Sequence, residues 1–282
     1  MSDDLASTAW LAAHLGSPDL AVLDCSWHLP QAKRDAKVEF RDGHIPGAQF
    51  FDLDDISDTG SKLPHMLPSP EKFSSRMRKL GVGDGKRVIC YDAAGLFSAA
   101  RAWWMFKVFG HDDVAVLDGG LPKWKTEGRA LEDGPALSPQ ERHFTARYQS
   151  MMVRDKGEVA AALKAGSEQV ADARGGPRFR GEEAEPRAGV RAGHMPGARN
   201  VHYAALLRPD GTLKTPDEIA AIFAAAGIDL QRPVITSCGS GVTAAILSLG
   251  LTLAGAKQHT LYGGSWAEWG ADPDATVVTG AA

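Results

Sequence analysis

The chain repeats itself once, and this duplication constrains its fold more than any other feature of the sequence. Both halves contain, in the same order, an apolar run ending in Asp, a GH(I/M)PGA segment, an apolar run followed by a short loop, and a GG segment ending in Trp. The offsets between equivalent landmarks are 148 (Asp24 to Asp172), 150 (His44 to His194), 146 (Asp92 to Cys238) and 145 (Trp124 to Trp269). Four landmarks at a nearly constant offset indicate a tandem duplication.

The length agrees with this interpretation, because 282 residues are too many for one average domain and enough for two. Gly, Pro, Ser and polar residues gather between Gly134 and Met151, which favours a linker there. We therefore predict a first domain over residues 1–135, a linker over 136–150 and a second domain over 151–282. Each half alternates short apolar runs with helical patterns, which predicts an α/β fold with a helix-flanked parallel sheet in each domain.

Three short apolar runs of the second half are predicted to be strands: Gln169–Asp172, Pro233–Ser237 and Gln258–Leu261. A helix is predicted over Thr215–Ala226, with Thr215 as N-cap, Pro216 at the first helical position and Glu218 closing a capping box.

A second helix is predicted over Val242–Ala254, where apolar residues recur at helical spacing and Gly255 follows the end. Its equivalent in the first half, about Ser98 to Phe109, is apolar nearly all round, as a buried helix would be.

Cys238 lies where a predicted strand ends and a predicted helix begins. The loop between them, Cys-Gly-Ser-Gly-Val-Thr, contains two glycines that allow a tight turn with converging backbone N–H groups. The helix N-terminus adds a positive dipole end, so this environment favours a thiolate. A free cysteine is more commonly a buried structural residue, and we assign that role to Cys25 and Cys90, which lie in or beside apolar runs.

The duplicate supplies an internal control for this chemistry. At the position of Cys238 the first half has Asp92, and a carboxylate cannot act as a sulfur nucleophile. The chemistry is therefore expected in the second half alone. Phosphatase or arsenate reductase chemistry is disfavoured, because a clamping Arg is needed six residues after the Cys and that residue is Ala244.

Composition excludes several other classes of function. A formal net charge of -4 argues against a phosphate-backbone partner, so no nucleic acid is expected. No run of about 20 apolar residues is present, and no membrane partner is expected. The three cysteines are few and widely spaced, which argues against a disulfide framework or a zinc site and favours a reducing compartment. With an acidic N-terminus unlike a signal or transit peptide, this predicts a cytoplasmic protein.

These residues together resemble the tandem rhodanese sulfurtransferases, in which an inactive first domain precedes a Cys-bearing second domain. The resemblance covers essentially the whole chain and implies two rhodanese-like domains, a persulfide on Cys238, and no metal or organic cofactor. The loop is similar to that of the members that use 3-mercaptopyruvate, whereas members that use thiosulfate carry basic residues after the Cys. Gly239 and Ser240 are neutral, so the resemblance implies 3-mercaptopyruvate as donor.

The same resemblance implies the residues that bind the donor. Arg178 and Arg187 match the two arginines that hold the donor carboxylate, and a guanidinium fork suits a planar carboxylate. The alternative for any one of them is ordinary solvation. Arg180 is a weaker candidate that would assist electrostatically. The persulfide would accept hydrogen bonds from the backbone N–H groups of the loop, which runs from Gly239 through Gly241 and Val242 to Thr243.

A proton relay is also implied. The segment Leu63-Pro64-His65-Met66-Leu67-Pro68 matches the mercaptopyruvate-using members, in which a Ser–His–Asp relay has been proposed; by position it would be Ser240, His65 and Asp54. A lone His is more often structural, and His44 and His194 are assigned structural roles because both copies keep them. Gly263 departs from the family, which usually has Asp there.

The predicted reaction is thus a ping-pong transfer of sulfur from a small-molecule donor to a thiol acceptor such as thioredoxin, or to cyanide in vitro, with release of pyruvate. Two alternatives remain at this stage. One is a thiosulfate sulfurtransferase with the same chemistry and another donor. The other is a persulfide carrier module without a small-molecule donor, for which a carboxylate clamp would serve no purpose.

Overall fold

A computed structural model describes residues 3–281 of the chain. These residues form two compact units. The first unit contains the described residues up to 59 together with 67–149 and 208–213, and the second contains 60–66, 150–207 and 214 onwards. The short segment 60–66 therefore clusters with the second unit, and the short segment 208–213 clusters with the first. The linker over 136–150 remains a prediction.

The first unit is built on a five-stranded parallel sheet in the order β1-β5-β4-β2-β3. Its strands are β1 (Leu5–Ala6), β2 (Leu20–Asp24), β3 (Gln49–Phe50), β4 (Arg87–Tyr91) and β5 (Val114–Leu117). Its helices are α1 (Thr8–His14), α2 (Ala36–Asp42), α3 (Leu53–Ile56), α4 (Pro70–Lys79), α5 (Ala99–Val108) and α6 (Gly120–Thr126), with a 3₁₀ turn at Pro30–Ala32.

The second unit repeats this plan, with a parallel sheet in the order β6-β10-β9-β7-β8. Its strands are β6 (Val153–Arg154), β7 (Gln169–Asp172), β8 (Arg199–Asn200), β9 (Val234–Ser237) and β10 (His259–Tyr262). Its helices are α7 (Lys156–Ala165), α8 (Gly176–Arg180), α9 (Pro216–Ala225), α10 (Ala244–Leu253) and α11 (Ser265–Trp269), with 3₁₀ turns at Ser150–Met152 and Tyr203–Leu206. The predicted α/β fold of two such domains is confirmed.

The three strands and three helices predicted from local signals lie within one or two residues of their predicted bounds. The strand Gln169–Asp172 has the predicted bounds, and the other two strands are shifted or shortened by one residue. The capping box of α9 is present: the Glu218 N–H donates to the Thr215 hydroxyl, and the Thr215 N–H donates to the Glu218 carboxylate. Helix α10 was predicted to begin at Val242 but begins at Ala244, because the Cys238 loop continues through Thr243.

The cores of both units lie between the sheet and its helices. Every residue of α5 except Lys107 is buried, so the apolar pattern predicted a buried helix correctly. In the second unit α10 is buried over its first eight residues. In each sheet the central strand, β4 or β9, leads directly into the loop that carries Asp92 or Cys238. The carboxyl end of a central parallel strand is where α/β proteins commonly bind ligands.

Among residues 3–281, no helix has both the length and the apolar character needed to cross a membrane.

Candidate active site

Cys238 follows β9 directly and precedes the helix α10 by a five-residue loop. Only 2% of its surface is exposed, and its Sγ accepts a hydrogen bond from the backbone N–H of Gly241 at 3.1 Å. Gly241 has φ +79, a left-handed conformation that favours glycine and turns this N–H back towards the sulfur. The predicted environment of a strand–loop–helix junction around Cys238 is therefore present.

Gly239, the other loop glycine, serves a different purpose from the predicted tight turn, because its φ is not in the left-handed region. A Cβ atom placed on it would lie 3.4 Å from Nη2 of Arg178 and 3.7 Å from Nη1 of Arg187. The two predicted donor-binding arginines are thus brought together beside the residue that follows Cys238. Both distances are ordinary contacts, so they show that the two guanidinium groups lie against the loop at this residue.

A buried carboxylate holds one member of this pair in place. Glu185, whose side chain is 3% exposed, accepts hydrogen bonds from both Nε and Nη2 of Arg178. It also accepts one from Nη1 of Arg174 at 2.7 Å. Arg174 in turn donates to both carboxylate oxygens of Asp172 and stacks over Trp266 with its guanidinium carbon 4.3 Å from the ring centroid. Bidentate contacts of this kind fix the plane of a guanidinium.

Neither Arg174 nor Glu185 was predicted from the sequence to take part in the site. Their one sequence signal is the spacing of an acidic residue among several arginines, which many exposed loops share. That Glu185 binds both Arg174 and Arg178 is visible only in the folded chain.

Arg187 differs from its neighbour, because its guanidinium donates no hydrogen bond to any residue among 3–281. Burial, together with the nearby charge of Arg178, lowers the pKa of Arg187 from its ordinary value, although an arginine stays protonated in proteins. A desolvated guanidinium without a carboxylate partner is a favourable place for an anion. Around the Cys238 loop, the carboxylates of Asp172 and Glu185 pair with Arg174 and Arg178, and the guanidinium of Arg187 is left for the charge of Cys238 and of a ligand.

Two members of the predicted relay are in contact. Nδ1 of His65 lies 3.0 Å from the hydroxyl oxygen of Ser240, and both residues are buried. His65 belongs to the segment 60–66, which clusters with the second unit although residues of the first unit lie on both sides of it in sequence. Asp54 lies in α3 of the first unit, where its Oδ2 accepts a hydrogen bond from the indole of Trp27 at 3.2 Å.

The remaining predicted residues have simple placements. Val242 is buried and Thr243 is half-buried at the N-cap of α10, where its side chain makes no capping hydrogen bond. Arg180, the weaker candidate, is paired with Glu182 in a more exposed position. At Gly263, the departure from the family, a Cβ would be 3.9 Å from the thioether of Met66, which is an ordinary contact.

The residues assigned to structural roles are buried away from this chemistry. Cys25 and Cys90 are free thiols in the first unit, and burial is the main reason that the pKa of Cys25 is well above its ordinary value. His44 and His194 each stack on a phenylalanine ring and bond through Nδ1 to a backbone carbonyl. Among residues 3–281, no cluster of His, Cys, Asp or Glu could hold a metal ion.

Comparison with known proteins places this site in a family. The rhodanese-like domain matches residues 7–127 and again 155–272. The 3-mercaptopyruvate sulfurtransferase of Escherichia coli (strain K12) is 45% identical over 269 residues, which cover 95% of each chain. A mitochondrial thiosulfate/3-mercaptopyruvate sulfurtransferase of Arabidopsis thaliana is 39% identical over 98% of this chain and 78% of its own.

A solved structure agrees with this. The crystal structure of SseA from Escherichia coli, described as showing the rhodanese fold of 3-mercaptopyruvate sulfotransferases, superposes with a TM-score of 0.85 and 42% identity, covering 93% of this chain and 98% of that one. Two rhodanese-like matches that together span most of the chain, and full-length relatives well above 30% identity, leave one conclusion. This chain belongs to the tandem rhodanese family, among relatives that are named 3-mercaptopyruvate sulfurtransferases.

Proposed function

We propose that this chain is a 3-mercaptopyruvate sulfurtransferase that carries sulfur as a persulfide on Cys238. One observation supports the choice of donor most directly: the guanidinium groups of Arg178 and Arg187 converge beside Gly239, the residue after the nucleophile. A persulfide carrier that receives sulfur from a protein partner would have no use for this pair.

The arginines of the site favour a donor that carries a carboxylate. Arg187 has no carboxylate partner among the described residues, so its guanidinium is available to bind the carboxylate of a donor. 3-Mercaptopyruvate brings one carboxylate at the far end of a short carbon chain, so its sulfur can reach Cys238 while the carboxylate meets the arginines. Thiosulfate brings two charges next to the attacked sulfur, where the loop offers the neutral residues Gly239 and Ser240.

The reaction then proceeds in two halves. The Cys238 thiolate attacks the donor sulfur, the carbon–sulfur bond breaks with its electron pair on carbon, and the pyruvate enolate leaves and takes up a proton. The outer sulfur of the resulting persulfide is held by backbone N–H groups of the loop from Gly239 through Gly241 and Val242 to Thr243. A second thiolate attacks this outer sulfur and regenerates the Cys238 thiolate.

Ser240, His65 and Asp54 are proposed as the proton relay that serves these steps. The contact between Ser240 and His65 supports the first link, because it places the imidazole of His65 within hydrogen-bond distance of the loop that carries Cys238. The link to Asp54 rests on the family resemblance alone.

The acceptor is proposed to be a protein thiol of the thioredoxin class, with cyanide as its substitute in the assay. A cytoplasmic location is proposed on the ground that the three cysteines are free, which suits a reducing compartment. No cofactor enters the mechanism, and no nucleic acid or membrane is proposed as a partner.

A thiosulfate sulfurtransferase remains the second candidate, favoured by the double name of the Arabidopsis relative. The two functions are separated by kcat/KM for both donors with cyanide as acceptor, in the wild type and in Arg187→Ala, Arg178→Ala and Arg180→Ala. Arg180 is the matched control, because it lies on α8 with Arg178 but is paired with Glu182 in a more exposed position.

We expect the wild type to prefer 3-mercaptopyruvate. Loss of one charge-assisted contact should lower kcat/KM for this donor by roughly 10- to 150-fold in Arg187→Ala and Arg178→Ala. Arg187→Ala should have the larger effect, because Arg178 already shares its charge with Glu185. Arg180→Ala should stay within a factor of about two of the wild type, as is usual for an exposed ion pair. A wild type that prefers thiosulfate, or arginine variants with full activity, would refute the donor assignment.

A further inference from the structure

Ser265 has a backbone conformation that is unusual for its residue type. Among residues 3–281, the non-glycine residues with positive φ are Lys33, His65 and Ser265, and the last two lie at the site of Cys238. Ser265 has φ +50 and is fully buried at the first position of α11. A non-glycine residue keeps such a conformation only where the surrounding structure imposes it, and residues of this kind cluster at functional sites.

The duplicate shows that the turn itself does not need a side chain. The equivalent residue in the first unit is Gly120, the first residue of α6, with φ +53. A Cβ on Gly120 would lie 2.6 Å from the carbonyl oxygen of Gly95 and 2.7 Å from that of Asp92, so glycine is required there. The same turn in the second unit therefore retains a serine although glycine would form it without strain.

The serine hydroxyl contacts the nucleophile's own backbone. Its Oγ accepts a hydrogen bond from the N–H of Cys238 at 3.2 Å and donates one to the carbonyl of Tyr262 at 2.8 Å. Immediately after it, the N–H groups of Trp266 and Ala267 donate to the carbonyls of Cys238 and Gly239, each at 2.9 Å. Three consecutive residues at the start of α11 thus hold the backbone on both sides of the Cys238 Cα.

We propose that Ser265 is a positioning residue for the sulfur-transfer reaction. Its hydroxyl fixes the peptide that enters Cys238, so that Sγ faces the Gly241 N–H and the arginine pair, and the left-handed backbone at Ser265 is retained to place that hydroxyl. The inference rests on the proposed role of Cys238 as nucleophile, and it is independent of which small molecule donates the sulfur.

The test compares Ser265→Gly with Lys33→Gly. Both changes replace a left-handed non-glycine residue with glycine, but Lys33 is exposed on the first unit, far along the chain from the Cys238 loop. Three quantities are measured: the midpoint of chemical denaturation, kcat and KM for 3-mercaptopyruvate, and the pH profile of Cys238 alkylation by iodoacetamide. Ser265→Ala serves as a second variant, which loses the hydroxyl and keeps the strained backbone.

We expect Ser265→Gly to be more stable than Ser265→Ala, because both variants lose the hydroxyl and only glycine relieves the left-handed backbone. We expect kcat of Ser265→Gly to fall by about tenfold, the size of one neutral hydrogen bond, with KM nearly unchanged. The pH profile of its alkylation should shift to higher pH, because the Cys238 backbone is no longer fixed and its sulfur is no longer held against the N–H of Gly241. Ser265→Ala should show the same kinetic loss with lower stability. Lys33→Gly should change stability alone.

Unchanged kcat and alkylation profiles in both Ser265 variants would overturn the proposal. So would a fall in kcat in Ser265→Gly that is absent from Ser265→Ala, since the hydroxyl would then not be its cause. Alkylation requires no sulfur donor. A shifted profile in a protein that does not use 3-mercaptopyruvate would therefore refute the donor assignment and leave the role of Ser265 standing.

Discussion

The loops that carry Asp92 and Cys238 have the same place in the fold, but they differ in the group that their backbone N–H groups bind. In the first unit the Asp92 carboxylate accepts four backbone N–H groups, those of Ala94, Phe97, Ser98 and Ala99, at 2.7 to 2.9 Å. In the second unit the loop offers the N–H of Gly241 to the Cys238 sulfur. The duplicate thus shows that a loop of this shape is able to enclose an anion, and that in the first unit the chain supplies that anion itself.

The size of the enclosed group is informative. The oxygens of Asp92 lie two bonds beyond Cβ, and the outer sulfur of a cysteine persulfide also lies two bonds beyond Cβ. The Asp92 carboxylate in the first unit therefore has the same length as the persulfide proposed on Cys238 in the second. A bare thiolate is one atom shorter, which leaves the remaining N–H groups for the transferred sulfur. By the pattern of the first unit, the N–H groups of Ser240 and Thr243, which match those of Ala94 and Phe97, would be donors to the transferred sulfur.

A second pair of equivalent residues differs in electrostatics. Asp172 is neutralised by the buried guanidinium of Arg174, whereas the residue equivalent to Arg174 in the first unit is Ser26. Asp24 accepts hydrogen bonds from the N–H and hydroxyl of Ser26, no ion pair joins it to a cation among residues 3–281, and burial raises its pKa to about 6. The arginine that joins Asp172 to Glu185 in the second unit thus has a serine in its place in the first unit.

The largest effect is expected when the sulfur of Cys238 is replaced by oxygen. Cys238→Ser should abolish turnover, because a hydroxyl of far higher pKa cannot form a persulfide. Cys25→Ser and Cys90→Ser are the matched controls, since both thiols are buried in the first unit, and they should keep activity apart from effects on stability. Intact-protein mass after donor treatment should show one added sulfur, located on Cys238. Turnover by Cys238→Ser would end the persulfide hypothesis.

A smaller effect is expected from the electrostatic difference. Because the folded-state pKa of Asp24 is raised from 3.8 to about 6, its contribution to stability is full below pH 4 and is lost as the pH rises through 6. Asp24→Asn should therefore stabilise the protein at pH 8, by about 3 kcal/mol at most, and this gain should shrink towards pH 4. Urea denaturation at both pH values measures it. A gain that does not depend on pH would show that the charge is not its cause.

The smallest effect is expected from giving the first unit a cysteine. Asp92→Cys should not create a second working site, because the first half has neither the arginine pair nor a glycine after that position, where Ala93 stands. Mass spectrometry should again find one transferable sulfur per chain, and kcat should equal that of the wild type. Two sulfurs that turn over at comparable rates would show that the loop alone is sufficient, against the role given to Arg178 and Arg187.

Much of the fold followed from local patterns. The repeat and the apolar runs predicted two parallel-sheet domains, and the bounds of the six elements that were predicted lie close to those observed, because these features depend on neighbours in sequence. The start of α10 was predicted two residues early, since helical spacing continues through Val242 while the chain there is still turning around the Cys238 sulfur. Family resemblance, rather than spacing, selected Arg178, Arg187 and His65.

By itself the sequence determined the duplication, the fold class and the position of the one cysteine at a strand–helix junction, because these are written in residue order and periodicity. Only the tertiary structure decided how the charges are shared: that Glu185 joins Arg174 to Arg178, that Arg187 is left without a carboxylate partner among the described residues, and that Ser265 bonds the backbone of Cys238. The physical reason is that hydrogen bonds and burial act between atoms that are close in space. Cys238 and Ser265 are 27 residues apart and His65 and Ser240 are 175 apart, distances over which no sequence pattern specifies a contact.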